Sequence, residues 1–127
     1  MQSDITPSFG GFITKKRENL KLTLTELSGA VGITPAYLHF IESGKKINPS
    51  KEIIYKMAAE LGLSKDECYI FLDLHAKANN KISLDLPDYL MSNDIARKAV
   101  RRAKENADKE FTDKEWQNFM DKLNTKK

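Results

Sequence analysis

The apolar residues of this chain recur at helical spacing over most of its length. Three segments pair a hydroxyl side chain with a glutamate three residues later, which is the pattern of a helix N-terminal capping box. They are Thr23-Leu-Thr-Glu26, Ser64-Lys-Asp-Glu67 and Thr112-Asp-Lys-Glu115. Apolar pairs flank two of these boxes as hydrophobic staples, Leu22 with Leu27 and Phe111 with Trp116. The pattern predicts an all-α fold.

The periodicity and the Gly and Pro positions predict eight helices. Their expected ranges are about 8–20, 24–31, 35–42, 50–61, 65–78, 87–91, 93–106 and 113–124. Asn79-Asn80 is expected to end the fifth helix, and Ser92 is the expected N-cap of the seventh. Between the fifth and sixth helices, Ile82, Leu84 and Leu86 alternate with polar residues. This alternation predicts one short extended segment, which cannot form a sheet alone.

Three parts are expected along the chain: an N-terminal tail over 1–7, a helical domain over 8–80 and a C-terminal helical region over 81–127. The seventh helix is amphipathic: Ile95, Ala99 and Ala103 form an apolar stripe, and five basic side chains occupy the rest of the helix surface. The eighth carries an apolar stripe that we expect to be core: Trp116, Phe119, Met120 and Leu123. Together these helices predict a hairpin closed by 105–111, suited to dimerisation or partner binding.

Composition narrows the class of protein. Of the 127 residues, 40% are hydrophobic and 31% charged, which is typical of a globular chain. No apolar run approaches the ~20 residues of a membrane span, and the N-terminus lacks a signal peptide, so we expect a cytoplasmic protein with no membrane contact. One cysteine and two histidines argue against a disulfide and against a metal site. No catalytic constellation or cofactor motif is visible, which predicts a protein that is not an enzyme and holds no cofactor.

The helices at 24–31 and 35–42, joined by a turn at Gly32, have the spacing of a helix-turn-helix. The surrounding residues make this signal specific, and over about 9–63 the chain resembles the Cro/C1-type (Xre) family of DNA-binding regulators. The residues that carry the resemblance are Phe9-Gly10 through Arg17, Leu22-Thr23, Glu26-Leu27, Val31 through Leu38, Ile41-Glu42, Gly44 and Asn48-Pro49-Ser50.

The resemblance implies a five-helix, lambda-repressor-like domain whose third helix is the recognition helix. It also implies an ion pair between Arg17 and Glu42 that locks the first helix to the end of the third. The alternative is that both side chains are solvated, because charged residues usually lie at the surface.

By the same resemblance, base contacts fall to Pro35, Ala36 and Phe40, with Tyr37 and His39 beside them. The first three offer apolar contact only, such as that with a thymine methyl, where relatives often carry hydrogen-bonding side chains. For His39, a solvent-facing position is an equal alternative. Phosphate contacts are expected from the start of the second helix and from a polar cluster after the recognition helix. These residues are Thr23, Leu24, Thr25, Lys45, Lys46, Asn48 and Lys51.

The sequence thus predicts a sequence-specific transcriptional regulator, a repressor of phage or mobile-element type that binds palindromic double-stranded DNA as a homodimer. The alternative is an antitoxin-like interaction protein that regulates its own expression and neutralises a partner protein through residues 92–124. The net charge of +3 is too small to distinguish between these two functions. For the basic seventh helix, a phosphate-contacting surface, a site for an acidic partner and an ordinary solvated face all stay open.

Overall fold

A computed structural model describes residues 8–46, 48–107 and 113–125, and all regular structure in these ranges is α-helical. The helices are α1 (Phe9–Asn19), α2 (Leu24–Val31), α3 (Pro35–Ser43), α4 (Lys51–Glu60), α5 (Lys65–Asn79), α6 (Pro87–Ser92), α7 (Asp94–Glu105) and α8 (Asp113–Asn124). Each lies within one residue of its predicted ends, so the all-α prediction is confirmed.

Local capping explains where these helices begin. The boxes at Thr23 and Ser64 both form: each hydroxyl accepts from the backbone amide of the glutamate three residues on, and that carboxylate accepts from the amide of the cap residue. The third box and its staple begin at Phe111 and Thr112, which lie outside the described residues, as does the tail 1–7. Asn80 ends α5, as predicted, and its backbone adopts a left-handed conformation.

Helices α1 to α5 enclose the core of the first unit, which extends to Leu86. Each contributes a side chain with no exposed surface: Ile13, Leu27, Leu38, Ile54 and Phe71. Burying one such side chain is worth roughly 1.5–3 kcal/mol, so the apolar stripes read from the sequence hold this unit together. Close packing joins α1 to α3 and α5, and α2 to α3 and α4.

The segment after α5 differs from its prediction. It forms turns, with Ile82 57% and Leu86 41% exposed, while Ser83 is buried and donates a hydrogen bond to Asp73 of α5. Leu84 packs against the core. The prediction of an extended segment is therefore wrong, because a tight turn, and not the two-residue repeat of a strand, determines which side chains face the core. These contacts also place 81–86 in the first unit, beyond the boundary expected after Asn80.

The second unit starts at Pro87, and in it α6 packs on α7. The N-cap of α7 is Asn93, whose side chain accepts from the Ala96 amide at 2.9 Å. The predicted cap, Ser92, is instead the last residue of α6, and its hydroxyl donates to the Tyr89 carbonyl of the same helix. The prediction was wrong by one residue because Ser92 and Asn93 are both suitable N-cap residues, and Ser92 is already part of α6.

The stripe on α8 is a surface rather than the core that the sequence predicted. Its four side chains are 39–54% exposed: Trp116, Phe119, Met120 and Leu123. An amphipathic helix buries its apolar stripe only where another element packs on it. The spacing therefore predicted the helix correctly and its burial wrongly.

Candidate nucleic-acid interface

Helix α3 has one buried face and one exposed face. It begins at the N-cap Thr34, whose hydroxyl accepts from the Tyr37 amide, and has Pro35 in its first turn. Leu38 and Ile41 are fully buried and fix the helix to the core. Tyr37, which the sequence placed beside the base contacts, is half-buried and packs against that core.

The opposite face of α3 presents four of the five residues predicted for base contact: Pro35, Ala36, His39 and Phe40. Ala36 and Phe40 are one helical turn apart, and so are Pro35 and His39. Phe40 is 38% exposed, and its ring centroid lies 5.9 Å from that of His39. The exposed face of α3, defined by these four residues, is thus a largely apolar strip that ends in an aromatic pair.

A cation borders this strip. Gly44 ends α3 with a φ of 89°, which a residue without a Cβ adopts at little cost. The turn lets the amides of Lys45 and Lys46 donate to the Phe40 carbonyl at 2.9 and 3.0 Å. The Lys45 ammonium then lies 5.8 Å from the centre of the Phe40 ring. Positive charge therefore stands directly beside the last aromatic ring of the exposed face of α3.

The orientation of α3 is set by Arg17 and Glu42. The Nε and Nη2 atoms of Arg17 donate to the two carboxylate oxygens at 2.8 and 3.0 Å, and Nη1 donates to the Leu22 carbonyl at 2.8 Å. The hydroxyl of Thr14 adds a fourth hydrogen bond, to Glu42 at 2.8 Å. The side chains are only 12% and 8% exposed, and the hydrogen bond to Glu42 raises the pKa of Arg17. This network ties α1 and the α1–α2 loop to the end of α3.

A glycine lets α1 approach α3 this closely. A Cβ built on Gly10 falls 2.3 Å from the carbonyl oxygen of Glu42 and 2.6 Å from that of Ile41. Both obstacles are backbone atoms, so no side-chain rotation relieves the clash. Gly10 therefore sets the distance at which the ion pair forms.

The start of α2 offers backbone donors at Leu24 and Thr25 but not at Thr23, for which the sequence also predicted a phosphate contact. The Thr23 hydroxyl occupies the Glu26 amide, and the Glu26 carboxylate occupies the Thr23 amide. The amides of Leu24 and Thr25, in the first turn, have no acceptor within the helix. Thr23 and Thr25 are exposed, whereas the Leu24 side chain packs against the core. Leu24 can therefore contact a phosphate through its backbone amide but not through its side chain.

The polar cluster after α3 is exposed: Lys45, Lys46, Asn48 and Lys51. Asn48 is additionally held by His75 of α5, a residue that was not predicted as part of the site. Its Nε2 atom lies 3.2 Å from the Asn48 side-chain oxygen, while the imidazole packs edge-on against Phe9. Burial, and then the charge of Lys81, lowers the pKa of His75. The sequence signal for this contact was a lone histidine within an apolar helix. The sequence did not indicate that its partner is Asn48, 27 residues away.

The basic helix α7 is less uniform than its sequence. Arg97 donates to the carbonyls of Leu90 and Met91 at the end of α6, and pairs with Asp94. The other cations are exposed: Lys98, Arg101, Arg102 and Lys104. Arg97 thus joins α6 to α7 within the second unit.

Two other features, a metal site and a membrane span, are absent from the ranges that the structure describes. Nowhere there do three or more His, Cys, Asp or Glu side chains form a group that could hold a metal ion. The helices of those ranges also lack the combined length and apolar character of a membrane span.

Comparison with known proteins agrees with the geometry. A family model described as helix-turn-helix matches residues 13–68, from α1 into the first turn of α5. Curated proteins and solved structures gave no significant match to the chain. The matched segment contains the Arg17–Glu42 pair, α2 and all of α3. Residues 13–68 are therefore a helix-turn-helix domain of the Cro/C1 type (Xre family), the DNA-binding domain of transcriptional regulators.

Proposed function

We propose that this regulator is a sequence-specific repressor that binds a palindromic operator as a homodimer. The observation that carries the proposal is the arrangement of α3: its inner face is fixed by buried Leu38 and Ile41, and its outer face is exposed and bordered by Lys45. A helix anchored in this way can enter the major groove without any change in the core.

The predicted phosphate contacts support the same docking. The α2 amides and the cluster after α3 lie on either side of the recognition helix along the chain, where a helix-turn-helix touches the DNA backbone. Each cation adds affinity without sequence information. Asn48 would reach a phosphate with its amide group while His75 holds its oxygen.

The dimer rests on the exposed stripe of α8. A two-fold dimer reads two half-sites about one helical turn apart, so its operator is a palindrome. A dimer across such a site excludes RNA polymerase from any promoter that it overlaps, and repression then needs no further domain. The second candidate, an antitoxin-like role, draws on the same stripe, which would then cover a partner protein.

Selection of bound duplexes from a random DNA pool with the full chain tests the proposal. We expect an inverted repeat with half-site centres about 10–10.5 base pairs apart. Recovery of no preferred sequence contradicts specific binding. A monomer in sedimentation experiments, both free and on the selected duplex, contradicts the dimer and moves the α8 stripe to the partner-binding candidate.

Lysine variants separate phosphate contacts from other charges. Lys46→Ala should weaken selected and scrambled duplexes about equally, and should lower the log–log salt slope by about 0.9. Lys77→Ala, an exposed lysine on α5, is the matched control and should change neither. A loss confined to the selected duplex contradicts the phosphate role of Lys46. Loss on Lys98→Ala would identify α7 as a second phosphate-contacting surface.

A further inference from the structure

The exposed face of α3 has few groups that can hydrogen-bond to a base. Pro35, Ala36 and Phe40 have no polar side-chain atom, and the proline ring also removes a backbone donor from the first turn. Ser43, one turn beyond, already donates its hydroxyl to the Phe40 carbonyl at 3.2 Å. The ring of His39 is the one remaining polar group among the four residues of this face.

The major groove contains one apolar group that such a face can detect. Thymine carries a C5-methyl there beside its O4 acceptor, whereas the edges of adenine, guanine and cytosine present hydrogen-bond donors and acceptors without a methyl group. Against those edges an apolar side chain would leave polar groups without water and without a partner, which is costly. Contact with a methyl group instead removes apolar surface from water on both sides.

We propose that α3 selects its operator through thymine methyl groups, which pack on Ala36 and Phe40. This inference deepens the proposed function and rests on it. The two side chains are about 6 Å apart along the helix axis, or about two base-pair steps. Each half-site should therefore contain thymines within about two steps of each other, on the part of the groove that faces the middle of α3.

The charge around Phe40 favours DNA as the ligand of this face. An exposed aromatic ring is also suited to an apolar protein partner, but the Lys45 ammonium 5.8 Å from the ring would be desolvated by such a partner. On DNA the same ammonium lies within reach of the phosphates that line the groove. The Phe40 ring can therefore contact a thymine methyl while the neighbouring Lys45 ammonium contacts a phosphate.

The first test changes the DNA alone. Each thymine of the selected half-site is replaced in turn by deoxyuridine, which lacks only the C5-methyl, and binding of the full chain is titrated at fixed salt. We expect one or two positions at which affinity falls about fourfold per methyl, the effect of one apolar carbon. In a duplex that carries cytosine in place of thymine at such a position, 5-methylcytosine there should raise affinity by a similar factor relative to cytosine.

The second test assigns the methyl to its side chain. Phe40→Ala should abolish the preference for thymine over deoxyuridine at one position and keep it elsewhere. Tyr69→Ala, a 46% exposed aromatic on α5, is the matched control and should keep the preference at every position. Because the first test needs no variant, misfolding of Phe40→Ala cannot conceal the answer.

The outcomes separate this inference from the function on which it rests. Specific binding that is unchanged by deoxyuridine at every position, or a selected half-site without thymine, overturns methyl recognition and leaves the regulator standing. An unchanged preference in folded Phe40→Ala overturns the assignment to Phe40. Failure to bind any selected duplex overturns the proposed function, and this inference with it.

Discussion

The ion pair between Arg17 and Glu42 allows a quantitative test of how α3 is held. Replacing Arg17 by methionine keeps an unbranched stem but removes three hydrogen bonds, two to the carboxylate and one to the Leu22 carbonyl. Among the described residues, Thr14 is then the side-chain donor left to the Glu42 carboxyl group, whose side chain is 8% exposed. Loss of one partner of a buried pair costs about 3–5 kcal/mol, and we expect the lower end because both side chains retain some contact with water.

Glu42→Met should cost less than Arg17→Met. The guanidinium that remains is 12% exposed and keeps the Leu22 carbonyl as an acceptor. Thr14 loses Glu42 as an acceptor, but its single hydroxyl proton can turn to the Gly10 carbonyl, 3.0 Å away. We therefore expect about 2 kcal/mol, with the double variant less destabilised than the sum of the singles by roughly 1–3 kcal/mol.

Urea unfolding, followed by circular dichroism, measures all four corners of this cycle. The slope against denaturant should stay constant, so that midpoint changes report stability alone. Lys56→Met and Glu52→Met, which remove an exposed pair on α4, form the control cycle and should couple by no more than about 0.5 kcal/mol. Additive effects of Arg17 and Glu42 within about 0.5 kcal/mol would refute the view that this pair locks α1 to α3.

Three further predictions concern the same unit. Gly10→Ala should destabilise by about 1–3 kcal/mol through overpacking, whereas Gly29→Ala, with open space at its Cβ, should stabilise by up to about 1 kcal/mol; thermal unfolding compares them. Because burial lowers the pKa of His75, stability should be full above its ordinary value of 6.5 and fall as the pH drops below it, and His75→Gln should reduce this loss in urea titrations at several pH values. A chain that ends after Leu86 should unfold cooperatively at a higher temperature than one that ends after Asn80, and equal stability would contradict the packing of 81–86.

The helices and the helix-turn-helix were predictable because their signals are local. An N-cap hydroxyl, a proline in the first turn and a glycine after the last turn act over a few residues, and α3 has all three, at Thr34, Pro35 and Gly44. The alternation at Ile82, Leu84 and Leu86 failed because a turn orients side chains individually. Periodicity also gave the stripe of α8 without telling whether anything covers it.

The candidate site was predictable to the extent that it follows the recognition helix. Leu38 and Ile41 claim the inward positions, so the exposure of Phe40 follows from helical geometry. The hydrogen bond between His75 and Asn48 could not be predicted, because two elements far apart in the chain form it. The half-burial of Tyr37 depends likewise on neighbouring elements that the sequence pattern of α3 does not specify.

Photocrosslinking tests the central claim, that the exposed face of α3 lies in the major groove, most directly. The thymines of the selected half-site are replaced one at a time by 5-iodouracil, whose iodine occupies the position of the methyl group. The full chain is irradiated on each duplex, and the linked peptide is identified by mass spectrometry. We predict a crosslink to Phe40 or His39 at one or two positions. Crosslinks that map only to α7 or α8 would contradict this account of how the protein binds DNA.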